Sequence, residues 1–335
     1  ARRIAATVIS YAFAEYFTSC SSGNIILTPI KVNEKITVSD LTFYVIYKKI
    51  LYNILKLMSI FSKKMYDMSM RNIQKEALVL SVKPQGESNR IVTFFTEDEG
   101  ICTAILYGGP KSKLRSRVSM WNYGQIYLYN DESKHTSKIT DFDVKNYHLS
   151  FRESLFKTWA ANLAVEITMR TKCAGCPKES FFLLNGFLDG LDILDERQGE
   201  TGLIRFLWRY LGLLGIQPEI YCCIKCNESF FTGNLGENNV SYKSGGAIYS
   251  QTENGFICSD CFKASFDKME NSFFTEISSK AAAYLEATSV CEHSISRKMT
   301  LSETEIKQLK SFVFSMIETG IGTKIKTLQT GIGIL

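Results

Sequence analysis

Three Cys-x-x-Cys pairs are the residues of this chain best suited, by type and spacing, to chemistry: Cys173/Cys176, Cys223/Cys226 and Cys258/Cys261. Two-residue spacing lets a tight knuckle aim two thiolates at one ion, and two knuckles complete a tetrahedral site for Zn2+. Cys223, Cys226, Cys258 and Cys261 are the set to combine. Between them, "SYKSGGAIYSQTENGF" places Gly-Gly and Asn-Gly turns among β-favouring residues, as a zinc ribbon does. Four thiolates leave no position for water, so such an ion is structural. Cys173/Cys176 lies between helical stretches ahead of Pro177; an ordinary loop with two free thiols is preferred for it over a disulfide. Cys222 is one position out of register and reads as a small buried apolar residue. No pair opens a helix in a thioredoxin-like strand–helix–strand unit, which disfavours redox chemistry. Ten cysteines would suggest disulfides in a small secreted domain. In 335 residues, paired at this spacing, they fit metal ligation in a reducing compartment.

Catalytic constellations are not evident. The histidines are His135, His148 and His293; the first two are expected in turns or strand ends and solvated, and none has a nucleophile signature nearby. There is no Gly-x-Ser-x-Gly, phosphate-binding Gly-Lys-Ser/Thr loop or dinucleotide fingerprint. The acids of "DGLDILDE" (Asp189, Asp192, Asp195, Glu196) read as a helix end and solvated turn rather than an acid–base or metal cluster.

The densest charge lies in "GGPKSKLRSRVSMW", where Lys111, Lys113, Arg115 and Arg117 put four cations in seven residues with no acid among them. On an extended loop these could track a phosphate backbone. Trp121, Tyr127 and Tyr129 follow on a strand and could offer faces to unpaired bases. The blander reading is a solvated loop followed by core aromatics. Tyr127 and Tyr129 share a strand face, so both point in or both point out. The net charge of +5 permits an acidic partner without demanding one.

These side chains need a frame. "EALVLSV", "RIVTFFT", "GICTAILYG", "YGQIYLY" and "KITDFDV" are five short strand candidates within about seventy residues, the spacing of a small barrel. The period changes after Ser150. Leu155, Trp159, Leu163 and Ile167 fall four apart on a helix, and "ESFFLLNGFLDGLDIL" and "TGLIRFLWRYLGLLG" follow as apolar helices, set off by Pro177 and a polar "DERQGE" turn. Ser302 and Glu305 form a capping box ahead of a helix with Ile306, Leu309, Val313, Met316 and Ile317 on one face.

In this order the features resemble the RecO family of bacterial recombination mediators. The match is carried by "EALVLSVKPQGESNRIVTFFTEDEGICTAILYGGPKSKLRS", by "LIRFLWRYLGLLGIQPEIYCCIKC" and by "GGAIYSQTENGFICSDC", and spans roughly residues 73–330. The resemblance implies an α+β fold: an N-terminal five-stranded OB-fold barrel packed on an α-helical domain carrying a four-cysteine, zinc-ribbon-like insert. The expected boundaries are an unmatched extension at 1–70, the barrel at 71–150, and the helical domain at 151–335 with its zinc element at about 221–262. It also implies a non-enzymatic protein of the bacterial cytoplasm, associated with the nucleoid. Such a protein binds single- and double-stranded DNA, anneals complementary strands, and acts with RecR to help RecA replace the single-strand-binding protein SSB. On that basis Lys111, Lys113, Arg115 and Arg117, with Arg90 as a fifth, are assigned to DNA. Arg205 and Arg209, four apart beside Phe206 and Trp208, are assigned to the acidic, apolar-ended SSB tail, with a snorkelling rim as the alternative. The competing functions are a zinc-ribbon protein–protein adaptor that binds no nucleic acid and an OB-fold hydrolase.

Residues 1–70 have no counterpart in that resemblance. "ARRIAATVISYAFAEYF" is a weak imitation of a signal peptide. "LTFYVIYKKILYNILKLMSI" has the length of a membrane span, but Lys48, Lys49 and Lys56 favour an amphipathic surface helix or no stable fold. Met58, Met65, Met68 and Met70 suggest that the natural start lies among them, with upstream sequence before it.

Overall fold

The computed structural model describes residues 72–109, 111–131, 136–232, 241–242, 246–265, 274–291 and 293–335, together with 52 and 54–56. The chain divides into two compact units, Ala1–Met65 and Tyr66–Leu335. In the first, residues 52 and 54–56 are helical; the methionine cluster lies outside the described residues, as do Cys20 and His135. No helix among the described residues is long and apolar enough to cross a membrane.

All five strand candidates form. β1 (Asn72–Gln85), β2 (Asn89–Thr96), β3 (Gly100–Leu106), β4 (Tyr123–Asp131) and β5 (Thr136–Asn146) close into a barrel in the order β1-β2-β3-β5-β4. Neighbours are antiparallel except β3 and β5, which meet in parallel at Ile105 and Lys138. This is the OB-type closure expected. β4 alternates cleanly: Gly124, Ile126 and Leu128 face in, while Tyr127 and Tyr129 face out. β1 does not alternate, because Ala77 to Leu80 are all buried. Ala77 and Val79 join the barrel core with Val92, Phe94, Ile126 and Phe142. Leu78 and Leu80, with Phe95, join the core of the helical region. One strand therefore serves two cores, which is why its sequence runs apolar without a break.

A short helix, α1 (Lys113–Arg117), links β3 to β4. After a 3-10 turn (Leu149–Arg152) come α2 (Leu155–Arg170), α3 (Pro177–Ile193) and α4 (Glu196–Leu213). The stripe expected on α2 is only half right. Leu163 and Ile167 are buried, but Leu155 is 62% exposed, and Ala160, Ala161 and Ala164 are buried as well. α2 is enclosed by α3, α4 and a C-terminal helix, so burial extends round it rather than along one stripe. The "DERQGE" turn is instead the start of α4: Asp195 caps it, accepting a hydrogen bond from the Gln198 N–H at 2.8 Å.

The ribbon region holds β6 (Phe231–Thr232) paired with β7 (Ser241–Tyr242), β8 (Ala247–Ser250) paired with β9 (Gly255–Ile257), α5 (Ser259–Ser265) and β10 (Phe274–Ile277), which flanks β8. α6 (Ser279–Val290), α7 (His293–Lys298), α8 (Glu303–Ile321) and α9 (Lys326–Thr330) complete the helical region. α8 begins with the expected capping box, and its five expected apolar residues are all buried.

Candidate functional site

The basic segment is not an extended loop. Residues 113–117 make one helical turn, which splays the charges around an axis instead of aligning them. Lys111 and Lys113 are exposed, while Arg115 and Arg117 are half-buried. Arg117 is engaged, donating to Asp141 on β5 at 3.0 Å. Arg90, at the start of β2 opposite Leu106, lies near Arg115: burial and then the Arg115 charge both lower its pKa. No carboxylate among the described residues pairs with Lys111, Lys113, Arg115 or Arg90. Four cations thus sit uncompensated where β2 begins and β3 ends. Two residues beside them carry no signal of their own in the sequence. Tyr107, just past β3, is 47% exposed with the Lys138 Nζ 5.2 Å from its ring centre. The parallel β3–β5 contact brings them together across more than thirty residues, which no local pattern reveals.

The aromatics divide. Tyr127 and Tyr129 are outward-facing, and the Tyr127 hydroxyl donates to Asp143 at 3.1 Å. Trp121 precedes β4 instead of lying on it. It adopts a left-handed backbone (φ 65°) and packs edge-on to Phe151, its ring centre 5.6 Å away. It is half-buried against the core of the helical region.

The four expected metal ligands converge. The sulfurs of Cys223, Cys226, Cys258 and Cys261 lie within 4.8 Å of one another, with Cys226 and Cys258 3.8 Å apart. A tetrahedron with ~2.3 Å metal–sulfur bonds has edges of about 3.8 Å, so the set fits a four-coordinate ion. Backbone N–H groups of Lys225 and Cys258 donate to the Cys223 sulfur, each at 3.4 Å, and that of Cys261 donates to the Cys258 sulfur at 3.4 Å. Burial works against a Cys223 thiolate, but the N–H donors of Cys226, Cys258 and Lys225 outweigh it and bring its pKa down to about 7. Burial raises Cys258, and the hydrogen bond to Cys258 raises Cys261. The first knuckle is closed by the Asn227 N–H donating to the Cys223 carbonyl (2.8 Å), with Asn227 left-handed at φ 58°.

Cys222 is half-buried rather than buried. It forms an isolated β-bridge with Ser229, and its thiol reaches the Asn227 side-chain oxygen at 3.5 Å. Cys173 and Cys176 are free thiols, but their setting is no ordinary loop. Lys172 to Gly175 all have positive φ, forming a left-handed turn closed by successive i→i+3 hydrogen bonds. Cys173 lies buried beneath the barrel, where a Cβ on Gly100 would come within 3.9 Å of its sulfur. Burial pushes its thiol up to about 11.

Arg205 and Arg209 do share a cavity of about 480 Å³ between α3 and α4, and Arg297 of α7 joins them. Phe182, Leu183, Phe187 and Ile193 supply an apolar wall. Arg209 donates through Nε to the Thr288 carbonyl (3.1 Å), but its Nη2 is buried without a partner. Burial, then Arg205 and Arg297, lowers its pKa. Three guanidinium groups, one with an unmet donor, suit a carboxylate.

His148 is buried, not solvated. Its Nδ1 lies 2.7 Å from the Trp121 carbonyl, and its Nε2 lies 3.0 Å from Asp189. The acids of "DGLDILDE" are likewise bridges and caps. Asp192 accepts from the Ser150 backbone (3.0 Å) and hydroxyl (2.7 Å), and Glu196 from the Ser154 hydroxyl (2.6 Å).

A family model described as "Recombination protein O N terminal" matches residues 70–148, and one described as "Recombination protein O C terminal" matches residues 152–329. A Myxococcus xanthus protein named "DNA repair protein RecO" is 28% identical over 194 residues, covering 57% of this chain and 73% of its own length. Proteins of the same name from Gloeothece citriformis and Bacillus subtilis are 25% and 27% identical, over 53% and 56% of this chain and 65% and 68% of their own lengths. With both family models matched in order on a closed barrel and a helical region bearing four converging cysteines, the chain belongs to the RecO family.

Proposed function

We propose that this chain is a DNA-binding mediator of recombination in DNA repair. It binds single- and double-stranded DNA, anneals complementary strands, and works with RecR so that RecA loads onto SSB-coated single strands. No bond-making residue is required; the task is to hold phosphates and a partner's tail. The observation that carries the reading is the group of unpaired cations Arg90, Lys111, Lys113 and Arg115 at one end of the barrel, with Tyr107 and Lys138 beside it. Arg117 contributes less, because Asp141 offsets its charge. Salt-series fluorescence anisotropy with labelled single-stranded DNA tests this. Replacing the four unpaired residues with Ala should weaken binding strongly and reduce the log–log salt slope by about 3, at ~0.7 per single-strand phosphate contact. Arg117→Ala should cost less than Arg115→Ala. A parent that binds no DNA at low salt would leave the adaptor reading in its place.

The arginine cavity is assigned to the SSB tail, whose acidic residues and apolar end match Arg205, Arg209 and Arg297 against the Phe182/Phe187 wall. A labelled tail peptide should bind the parent and bind Arg209→Ala at least tenfold more weakly. Equal affinity removes this assignment without touching the DNA reading. The four thiolates are assigned to one structural Zn2+, which would hold the two knuckles together and take no part in DNA contact.

A further inference from the structure

A second cavity, of about 470 Å³, lies between the segment leaving α4 and the last turns of α6. Gln217, Glu219, Tyr221, Glu286, Ser289 and Val290 line it. Glu286 stands out among them. Only 5% of it is exposed, no donor or cation among the described residues meets its carboxylate, and the access that remains is to the cavity. The charge that acts on it is another carboxylate, Glu219, and burial together with that charge raises its proton affinity. The polar groups beside it are already committed. The Ser289 hydroxyl accepts from Trp208 Nε1 (2.8 Å) and donates to the Leu285 carbonyl (3.2 Å), and Gln217 donates to the Trp208 carbonyl (3.0 Å).

A carboxylate largely withdrawn from water, without protein donors and near a like charge, gains from a cation that enters the cavity. The surroundings favour a cation further. The cavity abuts the C-terminal turn of α6, where free carbonyls concentrate negative potential. Its rim presents apolar surface, with Tyr221 36% and Val290 60% exposed. A bare metal ion fits poorly. The four cysteines are the one group of His, Cys, Asp or Glu among the described residues with donor atoms close enough to share an ion, so Glu219 and Glu286 lack the third ligand. A planar guanidinium has donors on several edges, an apolar stem and weak hydration, and it suits carboxylates beside an apolar rim.

We propose that this cavity binds an arginine side chain of a protein partner, with Glu286 and Glu219 as the carboxylates that receive its guanidinium. The site is separate from the cationic end of the barrel and from the arginine cavity, so it stands whatever becomes of those assignments.

The test uses the full chain with its metal, 15N-labelled and titrated with N-acetyl-arginine amide while the backbone amides of Tyr221, Ser289 and Val290 are followed by NMR. Saturable shifts at these amides are expected in the parent, with at least tenfold weaker binding in Glu286→Gln and a weaker response to N-acetyl-lysine amide. Thermal unfolding gives a second readout. A carboxylate kept for a ligand is a burden to the free protein, so Glu286→Gln should raise the melting temperature. Unchanged binding by Glu286→Gln, no shifts at these amides, an equal response to Mg2+, or a lowered melting temperature would each overturn the proposal.

Discussion

Asp189 accepts from Asn146 at 2.7 Å, from Asn185 at 3.2 Å and from His148 at 3.0 Å, and so ties α3 to the segment leaving the barrel. The His148 hydrogen bond, more than the opposing effect of burial, holds its pKa below the ordinary 3.8. The folded carboxyl gives up its proton more readily than the unfolded one. Its stabilisation is therefore complete above the unfolded value and is lost as pH falls through the folded value. Asp189→Asn should cost about 1–2 kcal/mol at neutral pH, allowing for the side chain's partial exposure. Urea unfolding should show that gap narrowing as pH drops from about 5 to about 3; a gap that does not change with pH would speak against the carboxylate's role. In sequence these acids look solvated, because their partners lie some forty positions away. The metal ligands are legible for the opposite reason: each knuckle is local, and only the pairing of knuckles has to be inferred. Cys222 is misread from sequence because packing, not residue type, decides burial for a small side chain.

At the scale of elements, period and turn residues locate every barrel strand, and the capping box locates the start of α8. Closure is not legible, since the parallel contact of Ile105 with Lys138 depends on geometry between distant segments. Nor is α1, a five-residue helix whose first turn has no side-chain cap and which tertiary contacts must sustain. Closure also makes a demand at Gly124. Between β4 and β5 the register shifts there, and a Cβ would lie 2.1 Å from the Asp143 carbonyl oxygen. Because the obstruction is backbone, no rotamer relieves it. Gly124→Ala should destabilise the protein by about 1–3 kcal/mol, as overpacking does, measured as a shifted denaturant midpoint. A midpoint equal to the parent's would mean that the bulge is free to move.

For the whole molecule, the ribbon and the helices share one core: Cys223, Phe230, Phe231, Tyr249, Phe256 and Ile257 pack with α4 and α8, where Phe312 meets Tyr249 edge-on at 5.1 Å. Removing the metal should therefore loosen the helical region, while the barrel interior, which is a separate cluster, persists. Metal analysis should find one zinc per chain, retained in Cys173→Ser and lost in Cys258→Ser. Chelation should lower the melting temperature by about 5 °C or more while leaving most DNA affinity in place. An unchanged melting temperature would mean that the four thiols hold nothing.

The doubly covered strand β1 has a consequence in time. Asn146, the last residue of the barrel, leaves the ribosome about 35 residues before Phe181, whose ring meets Phe95 at 5.3 Å and helps to shelter the barrel's outer flank. At ~5–20 residues per second the closed barrel's flank stays uncovered for roughly 2–7 s of synthesis. A barrel that has already closed must therefore wait, sticky on one side, for the helices to arrive.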